Sequence, residues 1–172
     1  MENKNIQLEH DSHSSANTLP LCILVKDMES PSNVGSIFRI ADALGVEKIY
    51  LSGNTQTPPN SKIRKVSRAA EQYVAYEYVE DPVLSIKQLK ADGYGIVGLD
   101  ITSESIDLED FETKADSKIC LVLGSERSGI HKDLLKECDV TVHIPMVGQK
   151  SSMNVGNACA IAIYSLGLGM RS

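Results

Sequence analysis

Residues 144–164 read IPMVGQKSSMNVGNACAIAIY. Apolar and proline positions give way to Gly148, Gln149, Lys150, Ser151 and Ser152, and a helix of small and apolar residues follows. A helix that only had to be buried would not place Asn154, Gly156 and Asn157 near its start. Asn in a first turn lowers helix propensity unless its amide is used. Ser152, Gly156 and Ala160 also recur every four residues. Such a small-residue stripe lets another backbone come close, within the chain or across a subunit interface.

Working outward, short apolar runs alternate with helical periodicity. LCILVKD (21–27), EKIYLSG (47–53), YGIVGLDIT (94–102), KICLVLG (118–124) and VTVHIPM (140–146) read as strands, and YVAYEYV (73–79) as a strand at a sheet edge. In NVGSIFRIADALG (33–45), Val34, Ile37, Phe38, Ala41 and Leu44 make one apolar helix face, closed by Gly45. PVLSIKQLKADG (82–93) is framed by Pro and Gly as a helix. GIHKDLLKECD (129–139) reads as a short helix, SESIDLEDFETKADS (103–117) as a polar excursion, and the last helix starts near Ser152. Strand and helix in alternation predict an α/β fold: a mostly parallel sheet with helices on both faces. The domain is expected over 19–172, after a loose polar tail at 1–18 that lacks the apolar stretch of a signal peptide.

The composition fits one globular domain of 172 residues, with no apolar run long enough for a membrane span. Cys22, Cys120, Cys138 and Cys159 are scattered and read as buried free thiols of a cytoplasmic protein. His10, His13, His131 and His143 lack the spacing of a metal set, so no metal is expected. The net charge of −6 argues against a generally sticky nucleic-acid binder. SKIRKVSR (61–68) is a local exception: Lys62, Arg64, Lys65 and Arg68 are either a solvated helix face or a phosphate-contacting surface.

Parallel sheets bind ligands at the carboxyl ends of their strands. PSNVGSIFR follows the first strand, GSERSG the fifth and PMVGQKSSMN the sixth. In the first, Asn33 suits an N-cap. Arg39, among apolar neighbours, suits an anionic partner such as phosphate. In the second, Gly124 permits a tight strand exit or close approach to a ligand, and Ser125 or Ser128 suits a helix cap. The Lys of a phosphate loop and the spacing of a dinucleotide fingerprint are both missing.

In this order, the three stretches resemble the SpoU-type (TrmH-like) RNA ribose 2′-O-methyltransferases of the SPOUT superfamily over residues 20–167. Asn33, Gly35 and Arg39 match the family's first motif. Gly124, Glu126 and Gly129 match the second. Ile144, Pro145, Met146, Gly148, Ser152, Asn154 and Val155 match the third. Met153 stands where Leu is common, and Gly156 where Ser is common.

The resemblance implies a C-terminal deep trefoil knot that holds S-adenosylmethionine against Leu99, Gly124, Ile144, Met146, Ser152 and Met153. It implies a catalytic set of Arg39, Asn33, Glu126, Ser152 and Asn154, with Asn33 and Glu126 fixing the surroundings of Arg39. It further implies a homodimer with active sites at the subunit interface. Because a guanidinium is a poor base, Arg39 is expected to hold the RNA phosphate and stabilise charge on the 2′ oxygen. Lys62, Arg64, Lys65 and Arg68 are the candidate RNA track, with tRNA favoured over rRNA. A non-catalytic RNA-binding or ribosome-assembly module is the competing reading. An ordinary nucleotide-binding α/β protein is a third.

Overall fold

Alternate residues of the first strand, β1 (Leu19–Lys26), are buried on opposite sides of a sheet. Leu21, Ile23 and Val25 enter one apolar cluster, and Cys22 and Leu24 enter another. β6 (Ile119–Leu123) repeats this, sending Ile119, Leu121 and Leu123 one way and Cys120 and Val122 the other. Strands buried on both faces need β-branched and aliphatic residues at every position, which is why these runs are continuous rather than alternating.

The computed structural model describes residues 17–149 and 152–171. Residues 1–16, nearly all of the expected tail, together with Lys150, Ser151 and Ser172, lie outside them. The remaining strands are β2 (Val46–Ser52), β3 (Ala75–Val79), β4 (Gly95–Leu99), β5 (Ile106–Asp107) and β7 (Val140–His143). All strand pairings are parallel, in the order β3-β2-β1-β6-β4-β7-β5. YVAYEYV does supply an edge strand. Helices α1 (Pro31–Leu44), α2 (Ser61–Ser67) and α5 (Val155–Met170) cover the first face, and α3 (Pro82–Ala91) and α4 (Lys132–Leu135) the second. In the last third of the chain the strands do not add in sequence order. β6 inserts between β1 and β4, and β7 enters between β4 and β5.

Several sequence expectations need correction. The polar segment 103–117 contains β5, which pairs with β7 through Ile106 and Val142 and forms the second sheet edge. Two residues are too few to carry an alternating pattern. The helix expected over 129–139 is only Lys132–Leu135. β7 stops at His143 rather than Met146; Pro145, two residues on, has no N–H to continue the ladder. The cap of α1 is Ser30, whose side chain accepts from the Asn33 N–H, with Pro31 in the first turn. Asn33 is therefore not an N-cap, and its amide is free for other work. Neither Ser125 nor Ser128 caps α4. They bond to each other, Oγ to Oγ at 2.7 Å, and His131 stands at the cap position.

Gly35 sets the distance between α1 and α2. A Cβ there would lie 2.8 Å from the Ile63 carbonyl oxygen and 2.9 Å from Val66 Cβ. The helix bearing Asn33 and Arg39 is thus in backbone contact with the helix bearing the basic cluster. Gly156 does the same on the other side of α1, where a Cβ would meet Ser36 Cβ at 3.1 Å. The small-residue stripe is therefore used, at Gly156, for packing inside the chain. Gly35→Ala is expected to cost about 1–3 kcal/mol in urea unfolding, because two helices must separate to admit the methyl group. Wild-type stability would show that α2 does not bear on α1 here.

Candidate active site

The amide of Asn33 joins three segments far apart in sequence. Asn154 is the N-cap of α5, and its Oδ1 accepts from the N–H groups of Gly156 at 2.9 Å and Asn157 at 3.4 Å. Its Nδ2 is then its only donor, and it donates to Asn33 Oδ1 at 3.1 Å. Asn33 must therefore turn its own Nδ2 outward, and it donates to Glu126 Oε1 at 3.0 Å. A carboxylate only accepts, so neither amide can be flipped without breaking at least two bonds. Ser30 N–H adds a further bond to Glu126 Oε1 at 3.1 Å. This answers why Asn154 begins the last helix: its oxygen caps and its nitrogen reaches across to α1.

Partial enclosure alone would raise the Glu126 carboxyl above its ordinary value of 4.5. The hydrogen bonds from Asn33 and from the backbone at Glu126, Ser30 and Glu29 outweigh it and hold the group below that value. Glu126 is thus a fixed carboxylate at neutral pH.

The relay borders a cavity of about 710 Å³ at the carboxyl ends of β4, β6 and β7. Leu99, Gly124, Ile144, Met146, Ser152 and Met153 all line it, as do Asn33, Glu126 and Asn154. Its size suits a nucleoside-sized ligand. Gly124 cannot be any other residue, since a Cβ there would collide with the Gly129 carbonyl. The glycine serves the chain's own backbone: Ser125 and Gly129 exchange N–H to carbonyl bonds at 3.0 and 3.1 Å, closing GSERSG into a tight loop.

Arg39 does not join this group within one protomer. It is exposed on α1, makes no hydrogen bond or ion pair with the other described residues, and does not line the cavity. Six helical residues place it about 120° around α1 from Asn33. The expected contact of Asn33 and Glu126 with Arg39 is thus absent in a single chain. Lys62, Arg64, Lys65 and Arg68 are exposed on and just after α2, away from the cavity lining.

Sequence reasoning missed three groups. Asp100 accepts from the N–H of Ile101 and of Ile130, both at 2.8 Å, tying the loop after β4 to the loop after β6. His143 lines the cavity and pairs through Nε2 with Asp107 at 2.9 Å, leaving Nδ1 buried with no partner among the described residues. That orphan nitrogen and the apolar walls at Leu99, Leu123 and Val155 suit a ligand with both a ring and polar edges. Ser30 was the third. Its signal was legible as Ser-Pro at a helix start, and Asp100 had one too, as an acid at the carboxyl end of a strand. Among the described residues, no group of three or more His, Cys, Asp or Glu could hold a metal, and no helix is long and apolar enough to cross a membrane.

The model of the SpoU rRNA Methylase family matches residues 20–164. The chain belongs to the SpoU methylase family. A putative TrmH family tRNA/rRNA methyltransferase of Staphylococcus haemolyticus is 30% identical over 148 residues, 86% of this chain and 58% of the relative. A 23S rRNA (guanosine-2′-O-)-methyltransferase, RlmB, of Blochmanniella floridana is 32% identical over 157 residues, 91% of this chain and 61% of the relative. The chain therefore spans less than two-thirds of either. The SpoU methyltransferase AviRb of Streptomyces viridochromogenes, solved in complex with AdoMet, superposes with a TM-score of 0.77 at 27% identity, covering 92% of this chain and 63% of that one.

A folded-state carboxyl held below its ordinary value contributes stability that is complete above 4.5 and is lost as pH falls through the lowered folded value. The stability advantage of wild type over Glu126→Gln is therefore expected to be flat near neutrality and to shrink on acidification. Urea titrations from about pH 7 to about pH 3 check this. A gap independent of pH would show that the Glu126 charge does not matter to the fold.

Proposed function

We propose that the chain is an S-adenosylmethionine-dependent RNA ribose 2′-O-methyltransferase acting as a homodimer, with tRNA as its first substrate and rRNA as the alternative. The observation that carries this is the single cavity onto which the Asn33–Glu126–Asn154 relay and all six expected cofactor residues open. Membership of the SpoU family supports it. The cofactor supplies a methyl group already activated on a sulfonium. Leu99, Gly124, Ile144, Met146, Ser152 and Met153 would hold it, within a loop region whose crossed connections close as a trefoil knot.

The chain's own tasks are alignment and charge stabilisation. Asn33 and Glu126 fix the start of α1 against the loop after β6, so the ribose enters over a rigid wall. Arg39, outside the lining of its own cavity, serves the cavity of the partner. There its guanidinium fork grips the RNA phosphate and stabilises the negative charge that develops on the 2′ oxygen. Ile161, Tyr164 and Leu168 support the dimer: they recur at i, i+3 and i+7 on α5 and are 42%, 52% and 52% exposed. Lys62, Arg64, Lys65 and Arg68 would carry phosphates towards the site.

The test is methyl transfer from labelled S-adenosylmethionine to tRNA and rRNA, followed by nuclease digestion to nucleosides. Ribose 2′-O-methylated nucleosides are expected. Arg39→Lys should lower kcat about 100-fold without weakening cofactor binding, and a mixture of Arg39→Ala and Asn33→Ala copies should regain activity. Wild-type turnover by Arg39→Lys would remove its role, and failed complementation would remove the shared site. Cofactor binding without any transfer would make the chain a binding module.

A further inference from the structure

A second hollow, of about 470 Å³, lies at the β3 edge, beside α2 and apart from the cofactor cavity. Its wall is Tyr76, a ring 39% exposed on an edge strand. The ring is not loose: it meets the fully buried Phe38 of α1 at 5.3 Å and 90°. Around it stand Pro59, Asn60, Arg64, Glu71 and Gln72. Asn60 spends its Oδ1 on the N–H groups of Lys62 and Ile63, which leaves its Nδ2 as a donor towards the hollow. Glu71 accepts from Ser67 Oγ and keeps a second carboxylate oxygen. Gln72 is exposed and brings both a donor and an acceptor.

We propose that this hollow binds one unpaired nucleobase of a single-stranded RNA segment, stacked on Tyr76 beneath Arg64, with its neighbouring phosphates on Lys62, Lys65 and Arg68. The inference rests on the RNA-substrate reading above and adds to it a base subsite. A ring and a guanidinium lining one hollow can hold any base between them. A carboxylate and two amides at its rim meet a base edge, whose exocyclic amines donate and whose ring nitrogens and carbonyls accept. A duplex keeps its bases stacked inside and offers no such edge, so the chemistry selects single strands, loops and bulges. Phosphate contacts alone would use the cations and leave the exposed part of the Tyr76 ring and the Gln72 amide unused. Gly35 holds α2 against α1, so the subsite stays at a fixed distance from Asn33 and Arg39 on that helix.

The test uses the full chain and an RNA of about eight nucleotides containing 2-aminopurine, free or annealed to its complement. Stacking quenches this base. Wild type should quench it and bind the single strand about tenfold more tightly than the duplex. Tyr76→Ala should lose both effects and Tyr76→Phe should keep both. Arg64→Ala, at an exposed side chain away from Phe38, should lower the single-strand preference with the fold intact. Lys62→Ala with Lys65→Ala should weaken both forms of RNA and reduce the salt slope by about two. If the lysine pair matters but Tyr76→Ala and Arg64→Ala bind single strands like wild type, the base subsite is wrong and the RNA reading stands. If neither RNA form binds, the RNA reading itself fails. If Tyr76→Ala instead dissociates the dimer, as read by sedimentation, the hollow is a contact between copies and the subsite is overturned.

Discussion

One side-chain amide constrains the rest of the site. Asn33 receives from Asn154 at its oxygen and gives to Glu126 at its nitrogen. The start of α1, the loop after β6 and the start of α5 are therefore held in one geometry. Each of these follows or faces the carboxyl end of a different part of the sheet, and among the described residues no backbone–backbone hydrogen bond joins them; the Ser30 N–H reinforces the relay by donating to Glu126. The direction of the relay is set at its ends: a helix N-terminus needs an acceptor at Asn154, and a carboxylate at Glu126 can only accept. The proposed chemistry needs this rigidity, because in-line transfer depends on alignment more than on any single acid or base.

Close backbone packing extends the same constraint. Gly35 and Gly156 bring α2 and α5 onto α1, and Gly124 lets its loop fold against Gly129. Asp100 then ties that loop to the end of β4. The glycines of the motifs thus do structural work around the cavity, whose lining combines apolar side chains with His143, the relay and polar groups such as Asp100, Arg127 and Ser152. Arg39 and the α2 cations lie outside this frame, on surfaces where a second copy or an RNA chain can reach them.

Much of this was legible in the sequence. Continuous aliphatic runs such as KICLVLG marked buried strands, and Pro31, Pro82 and Gly45 punctuated helices as their backbone chemistry requires. The motif residues around Asn33, Glu126 and Asn154 pointed to one place, and the fold brings those three together. Strand order was not legible, because insertion of β6 between β1 and β4 leaves no trace in local periodicity. β5 was hidden by its two residues. Asn33 was misread as a cap because an Asn near a helix start carries the same local signal whether it caps or reaches out, and Ser30 took the cap. His143 was set aside because ligand spacing was the only test applied to it; its partner, Asp107, comes from a segment read as loop. The distance of Arg39 from the cavity follows from helical phase, which a motif match ignores.

The relay can be tested without substrate. A double-mutant cycle of Asn33→Ala and Glu126→Ala, followed by urea unfolding at neutral pH, isolates their coupling from other losses. The account predicts a favourable coupling of at least about 0.5 kcal/mol. Strictly additive effects would contradict it, showing that the two groups stand near each other without holding the site together.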